Sequence, residues 1–249
     1  MHHQRQDIRP RLRPPHLNLV ETMPRHDWPA DDQDLVLRDD RHNRPIRTGF
    51  MMDIKDYGAR PPRAKKRAQE RVAAIIHNIL DDLNVRLSDT DQQGTGDGVL
   101  LFLPSELDVQ RALPVLLHSA AVHLAEDNEE FQDRIRIRMA VDIGPVGLTP
   151  LGFSGSTATR LGRLLESEPL YGRLLDHPGD ALAVIVSDRL HSFVIAEDVA
   201  ALPPAQFTCV SVKVKEFSST AWLWTRHLGQ SSTSADRPLK AVTPHNGIA

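Results

Sequence analysis

The chain has 249 residues, 40% hydrophobic and 25% charged, with a formal net charge of −3 at pH 7. That composition is ordinary for a globular protein in water, and the near-neutral charge argues against a broad surface for nucleic acid or anionic membrane. Cys209 is the only cysteine, which excludes an internal disulfide and fits a reducing, cytoplasmic setting.

Residues 1–45 are expected to be a disordered extension. Residues 1–49 hold 6 of the 18 prolines and 5 of the 12 histidines, among many Arg and Asp residues and no apolar periodicity. Such a stretch buries too little apolar surface to offset its ordering entropy. His2, His3, His16, His26 and His42 show no metal-ligand spacing on a shared face. The chain start lacks an apolar signal core, no run approaches the length of a membrane-spanning helix, and Met51 or Met52, at the expected edge of the fold, would serve equally well as a start. One domain over 46–227 follows, and 228–249, rich in Ser, Thr and Pro, is expected to be a disordered tail.

Within the domain, Thr48–Ile54 reads as a short strand. Val72, Ile75, Ile76, Ile79, Leu80 and Leu83 recur at helical spacing and predict an amphipathic helix over Lys66–Leu87. Val99–Leu103 is a buried strand stopped by Pro104, and a second helix is predicted from about Asp108 to Glu126. Ile135, Ile137, Met139, Val141 and Ile143 alternate with Arg134, Arg136 and Arg138, the period of a half-buried strand. A third helix is expected over Ala158–Leu175. Strands follow at Ala183–Val186, around Val210–Val214, and at Thr220–Thr225. This order gives an α/β (α+β) sandwich, with helices expected on one sheet face.

Two aspartates carry the chemistry. Asp53 ends the first strand and opens Asp53-Ile54-Lys55-Asp56-Tyr57-Gly58, and Asp97 lies within Gly96-Asp97-Gly98, a hairpin signal ahead of the next strand. If those strands pair antiparallel, both carboxylates reach one point, where a hard divalent cation would offset their repulsion. Taken singly, each has a plain reading as a turn or strand-end residue outside the core. No P-loop, zinc-protease motif or nucleophile elbow is present.

With these residues in view, Asp53–Trp224 resembles the catalytic domain of class III nucleotidyl cyclases. Asp53-Ile54-x-x-Tyr57-Gly58 is similar to that family's first metal motif and Gly96-Asp97-Gly98 to its second. Arg136 to Val146, Gly152-Phe153-Ser154-Gly155, Arg163-Leu164-Leu165 and Val212-Lys213-Val214-Lys215-Glu216 resemble its later segments in the right order. The resemblance implies a class III cyclase-like fold: a mostly antiparallel central sheet with a ferredoxin-like βαββαβ core. It implies two Mg²⁺ or Mn²⁺ ions per site, held by Asp53, Asp97 and the Ile54 carbonyl, with amides from Lys55 to Gly58 cradling phosphate. By resemblance Arg163 stabilises the α-phosphate, Tyr57 is a pocket aromatic and Lys215 faces the triphosphate. Tyr57 also reads as a core ring, Arg163 as a solvated helix residue, and Lys215 as an edge-strand lysine.

The departures bear on substrate. Thr159 stands where the family has a ribose-positioning Asn, Gln93 replaces its purine-selecting Lys, and Gly152 its purine-selecting Asp; Asp142 and Pro145 replace a His and a Glu. Within the family the chain looks most like the stand-alone pyrimidine cyclases of bacterial antiphage (Pycsar) systems. That implies a homodimer with shared active sites, UTP or CTP as substrate, and a cyclic product read by a separate effector protein. The alternatives are an adenylate or guanylate cyclase, and a non-catalytic cyclase-like module that binds nucleotide or mediates dimerisation.

Overall fold

The computed structural model describes residues 44–150, 152–195 and 202–226. The extension expected over 1–45, apart from Arg44 and Pro45, and the tail expected over 228–249 lie outside the described residues, as do the five early histidines.

Strand β1 (Ile46–Ile54) leads to α1 (Pro62–Asp82), the hairpin β2 (Asp91–Gly94) and β3 (Gly98–Phe102), α2 (Val109–Glu130) and β4 (Ile137–Pro145). A small hairpin of β5 (Gly147–Thr149) and β6 (Gly152–Ser154) precedes α3 (Ser156–Leu165) and α4 (Glu168–Asp176). Then come β7 (Leu182–Ser187), the short α5 (Asp188–Leu190), β8 (Phe207–Val214) and β9 (Phe217–Trp224). The main sheet has seven strands in the order β2-β3-β1-β4-β7-β9-β8. Its pairs are antiparallel except β4 with β7. From β1 to β4 the chain runs β-α-β-β-α-β with spatial order β4-β1-β3-β2, the ferredoxin-like core that the resemblance implies.

The expectation of helices on one sheet face is corrected. Alternate residues of one strand feed two separate cores. Met139 and Val141 of β4 pack with Phe50 and Met52 against α1 and α2, through residues such as Ile76, Ile79, Leu113 and Leu117. Ala140 points the other way and joins Leu100, Phe102 and Ile185 against Leu161 and Leu164 of α3 and Leu170 and Leu174 of α4. Both faces are therefore partly covered, and β4 is apolar on both because it is central.

Three further readings change. The helix expected over Ala158–Leu175 is two helices, broken at Ser167, which caps α4 in extended conformation. Pro169 lies in the first turn of α4, where its missing N–H is harmless, whereas inside a continuous helix it would cost a hydrogen bond and a clash. Met51 and Met52 sit inside β1, not at its edge: Met51 is paired with Leu100 and Ala140 on either side. A chain starting there would lack more than half of a central strand. Finally, β2 escaped notice because Asp91-Gln92-Gln93-Gly94 carries no apolar residue. As an edge strand it pairs with β3 alone, and that pairing defines it.

Candidate functional site

The expected first metal motif begins at the end of β1. Asp53 lies opposite Gly98 on β3 and opposite Arg138 on β4. The Ile54 amide donates to the Asp97 carbonyl at 3.0 Å. A strand residue directs its N–H and C=O to the same side, so the Ile54 carbonyl also faces the β2–β3 hairpin. The backbone thus sets the three residues of the expected metal site side by side. Gly98 makes this possible: a Cβ there would lie 1.8 Å from the Met52 carbonyl oxygen, so only glycine lets β3 run this close to β1. Gly96 turns the hairpin with φ of 92°.

Asp53 departs from the expectation of a strand-end residue outside the core. It is 8% exposed, and both its oxygens accept from one guanidinium. Arg138 Nε donates to Oδ1 at 2.9 Å and Nη2 to Oδ2. Burial pushes the Asp53 carboxyl above the usual range; Arg138 opposes this, and the negative charge of Asp97 adds to it. Arg138 Cζ in turn lies 5.3 Å from the ring centroid of Tyr171 on α4. Arg138 is the residue that sequence reading missed. Periodicity put it on the outward face of its strand, but only the β1–β4 register sets it opposite Asp53.

The oxygen-only donor set of two carboxylates and a carbonyl fits a hard divalent cation. A carboxylate offers about four lone-pair directions, so the Arg138 fork leaves Asp53 able to accept more. No cluster of three or more His, Cys, Asp or Glu side chains of metal-binding arrangement occurs among the described residues. Oxygens besides side-chain carboxylates, from the Ile54 carbonyl, water or a substrate phosphate, would complete the coordination of any ion there.

After Ile54 the chain turns sharply. Asp56 adopts a left-handed conformation with φ of 58° and starts a single 3-10 turn, Tyr57–Ala59. The expected cradle is narrower than Lys55 to Gly58, because the Lys55 amide already donates to the Arg136 carbonyl at 2.8 Å. The amides of Asp56, Tyr57 and Gly58 precede the first bond within the turn, from Ala59 N to the Asp56 carbonyl at 3.2 Å. A Cβ on Gly58 would meet nothing within 4 Å, so the fold itself has no need of a glycine there. The Tyr57 ring packs against the α1–α2 core, with Lys65 Nζ 5.5 Å from its centroid.

Gln93 and Gly152, the two positions that depart from purine selection, meet in space. A Cβ on Gly152 would fall 2.3 Å from Gln93 Oε1. The Gln93 amide therefore occupies the volume a side chain at position 152 would need, and Gly152 also has φ of 119°. Gln93 pairs in register with Leu100, so it shares the sheet face of Leu100 and α3.

Thr159 and Arg163 are one helical turn apart on α3. Two contacts fix that helix to β4: Arg160 Nε donates to Asp142 Oδ2 at 2.6 Å, and Thr157 Oγ1 to the Pro145 carbonyl at 3.0 Å. Asp142 is fully buried, and burial raises its carboxyl above the usual range against the opposing pull of Ser187 and Arg160. Among the described residues Arg163 bonds only to Glu166, at 3.5 Å, and to neither Asp53 nor Asp97. Lys215 is exposed at the tip of the β8–β9 hairpin with φ of 54°, a turn residue and not an edge-strand one. β8 is four strands from β1, about 19 Å at ordinary strand spacing. Within one chain, strand register joins Asp53, Ile54 and Asp97 and a close contact joins Gln93 and Gly152, while Arg163 bonds to none of them. A cleft of about 680 Å³ lies at the far end of β4, by Gly144, Arg189 and Phe193, away from these groups.

Neither a family model nor a curated protein sequence matches the chain. Solved structures match in fold. An adenylate/guanylate cyclase/hydrolase from Silicibacter pomeroyi is 20% identical with a TM-score of 0.51, over 74% of this chain and 98% of that one. The guanylate cyclase domain of RhGC from Catenaria anguillulae, solved with GTP, is 15% identical with a TM-score of 0.47, over 73% and 96%. A bacterial light-regulated adenylyl cyclase is 14% identical with a TM-score of 0.45, over 72% and 88%. The first of these likenesses establishes the class III cyclase fold that the motifs imply.

Proposed function

We propose that this protein is a nucleotidyl cyclase that converts a nucleoside triphosphate to its 3′,5′-cyclic monophosphate and diphosphate. The observation that carries the reading is the meeting of Asp53, the Ile54 carbonyl and Asp97 at one end of the sheet, on this fold. In the reaction the ribose 3′-oxygen bonds to the α-phosphorus, the bond to the β-phosphate oxygen breaks, and the hydroxyl proton passes to solvent. Asp53, Asp97 and the Ile54 carbonyl would hold Mn²⁺ or Mg²⁺, two ions per site, which when bound would supply Lewis acidity toward the 3′-hydroxyl and the leaving diphosphate. The amides of Asp56, Tyr57 and Gly58 donate to phosphate oxygens.

Arg163, with Thr159 one turn before it, comes from a second copy in a homodimer and stabilises charge developing on the α-phosphate. Lys215 of that copy approaches the triphosphate. Within one chain Arg163 bonds to neither Asp53 nor Asp97 and Lys215 sits on a hairpin four strands from β1, which supports a shared site.

Gln93 reads the base. Its amide offers a donor and an acceptor, which suit the O4/N3 edge of uracil or the N4/N3 edge of cytosine. Its packing on Gly152 leaves no place for an acidic partner there, so UTP or CTP is the substrate, and the cyclic product acts as a messenger for a separate effector in antiphage defence. The purine alternative draws on the activities that the structural neighbours are named for. Equimolar ATP, GTP, CTP and UTP in one tube with Mn²⁺ decide between them. A cyclic pyrimidine monophosphate is expected to dominate; dominance of cyclic AMP or cyclic GMP overturns the pyrimidine assignment, and the absence of any cyclic product overturns the cyclase.

A further inference from the structure

Every cyclase reading of this chain passes through Asp53, and Asp53 already has a cation. We infer that Arg138 is a positioning residue that makes cation binding depend on nucleotide: it balances Asp53 while the site is empty and opposes a lone divalent ion there. The inference rests on the metal reading of Asp53 and Asp97.

The geometry is that of a built pair. Arg138 Nε and Nη2 form a fork on both Asp53 oxygens, with side-chain exposures of 18% for Arg138 and 10% for Asp53. A fork holds the carboxylate in one rotamer. The Tyr171 ring, 5.3 Å from Arg138 Cζ, adds attraction for the guanidinium from the α4 side. Alignment of β1 and β4 places the two residues opposite each other, so the pairing is part of the sheet.

Charge counting gives the consequence. Asp53, Asp97 and Arg138 together carry one net negative charge, so one divalent cation already overshoots neutrality and a second makes the site strongly positive. A triphosphate brings about four negative charges and restores the balance. In a partly buried site such excess charge is poorly screened. Metal therefore enters with the nucleotide, and free metal at cellular levels leaves the site closed by its own arginine. Without Arg138 the two carboxylates would neutralise one divalent ion without help.

Mn²⁺ titration of the nucleotide-free protein, followed by electron paramagnetic resonance, reads this without any turnover. Arg138→Met and Arg138→Gln are each expected to bind Mn²⁺ at least tenfold more tightly than the native chain, whereas Arg138→Lys, which keeps the charge and loses the fork, stays within about threefold of native. Equal or weaker binding in both neutral variants overturns the inference. Adding Asp97→Ala to Arg138→Gln must remove the gained binding; a gain that persists overturns the metal reading itself, and with it the role of Arg138. Should both neutral variants fail to fold, the native protein carries the test through the Arg138 Nε–H resonance. Mg²⁺ titrated to saturation with tripolyphosphate should shift it, and an unmoved resonance overturns the inference.

Discussion

Three carboxylates of this chain have different surroundings, and those decide what each substitution does. Asp97 is partly exposed at a hairpin tip, so Asp97→Ala is expected to abolish turnover with less than about 0.5 kcal/mol of stability lost. Asp53→Ala is expected to be equally inactive but also less stable by about 2–3 kcal/mol, because it leaves Arg138 half-buried without its partner. Urea unfolding of both variants beside a turnover assay checks this; full activity in either would end the two-carboxylate mechanism. Asp142 gives a pH signature instead. Its folded pKa is raised by burial, so the fold binds that proton more tightly than the unfolded chain does. Stability from this group is present at acid pH and falls as pH rises from the ordinary carboxylate range through the folded pKa. Chemical denaturation of native and Asp142→Asn protein at intervals between pH 4 and 8 should show a steeper fall in the native chain than in the variant, which keeps only the part due to Asp53, whose carboxyl is also raised.

Among the elements, the β1–β3 pair is the one on which the site depends, and two glycines in it and beside it behave oppositely. Gly98→Ala would force a Cβ to within 1.8 Å of the Met52 carbonyl oxygen, parting the strands that bring Asp53 and Asp97 together. A loss of about 3 kcal/mol or complete unfolding is expected. Gly58→Ala meets nothing within 4 Å, so its stability should change by less than about 1 kcal/mol, while a lower affinity for triphosphate would show that phosphate approaches the turn closely there. Thermal unfolding of both proteins and tripolyphosphate titration of Gly58→Ala separate the two effects. α3 is a second such element: the buried Asp142–Arg160 pair and Thr157 hold it to β4, and Thr159 and Arg163 ride on that attachment.

For the whole molecule the expectation concerns assembly. If Arg163 of one copy completes the site built on Asp53 and Asp97 of another, Arg163→Ala and Asp97→Ala are each inactive alone. Mixing them allows heterodimers in which one of two sites carries both changes and the other none, so up to about a quarter of native activity should return. Sedimentation and turnover of the mixture test this together. Subunits that exchange without recovering activity would place each site within one chain.

Much of this was legible in the sequence for local reasons. The periods of two and 3.6 marked the strands and long helices, and Gly96-Asp97-Gly98 marked a tight hairpin, because those signals need only neighbouring residues. The residues themselves also singled out Asp53 and Asp97, and the family resemblance Gln93 and Gly152. The sequence did not reveal that Gln93 rests on Gly152, which depends on the β5–β6 hairpin folding back over β2. Nor did it reveal β2 itself, whose polar residues form a strand only because β3 offers its edge. The break between α3 and α4 was readable at Pro169, yet the side of the sheet those helices cover was not, since a central strand apolar on both faces does not say which helix goes where. Above all, Arg138 looked like one outward arginine among three. Only strand register, a relation between residues 85 apart, made it the counter-ion of Asp53, because a one-residue slip would have turned it to the opposite face.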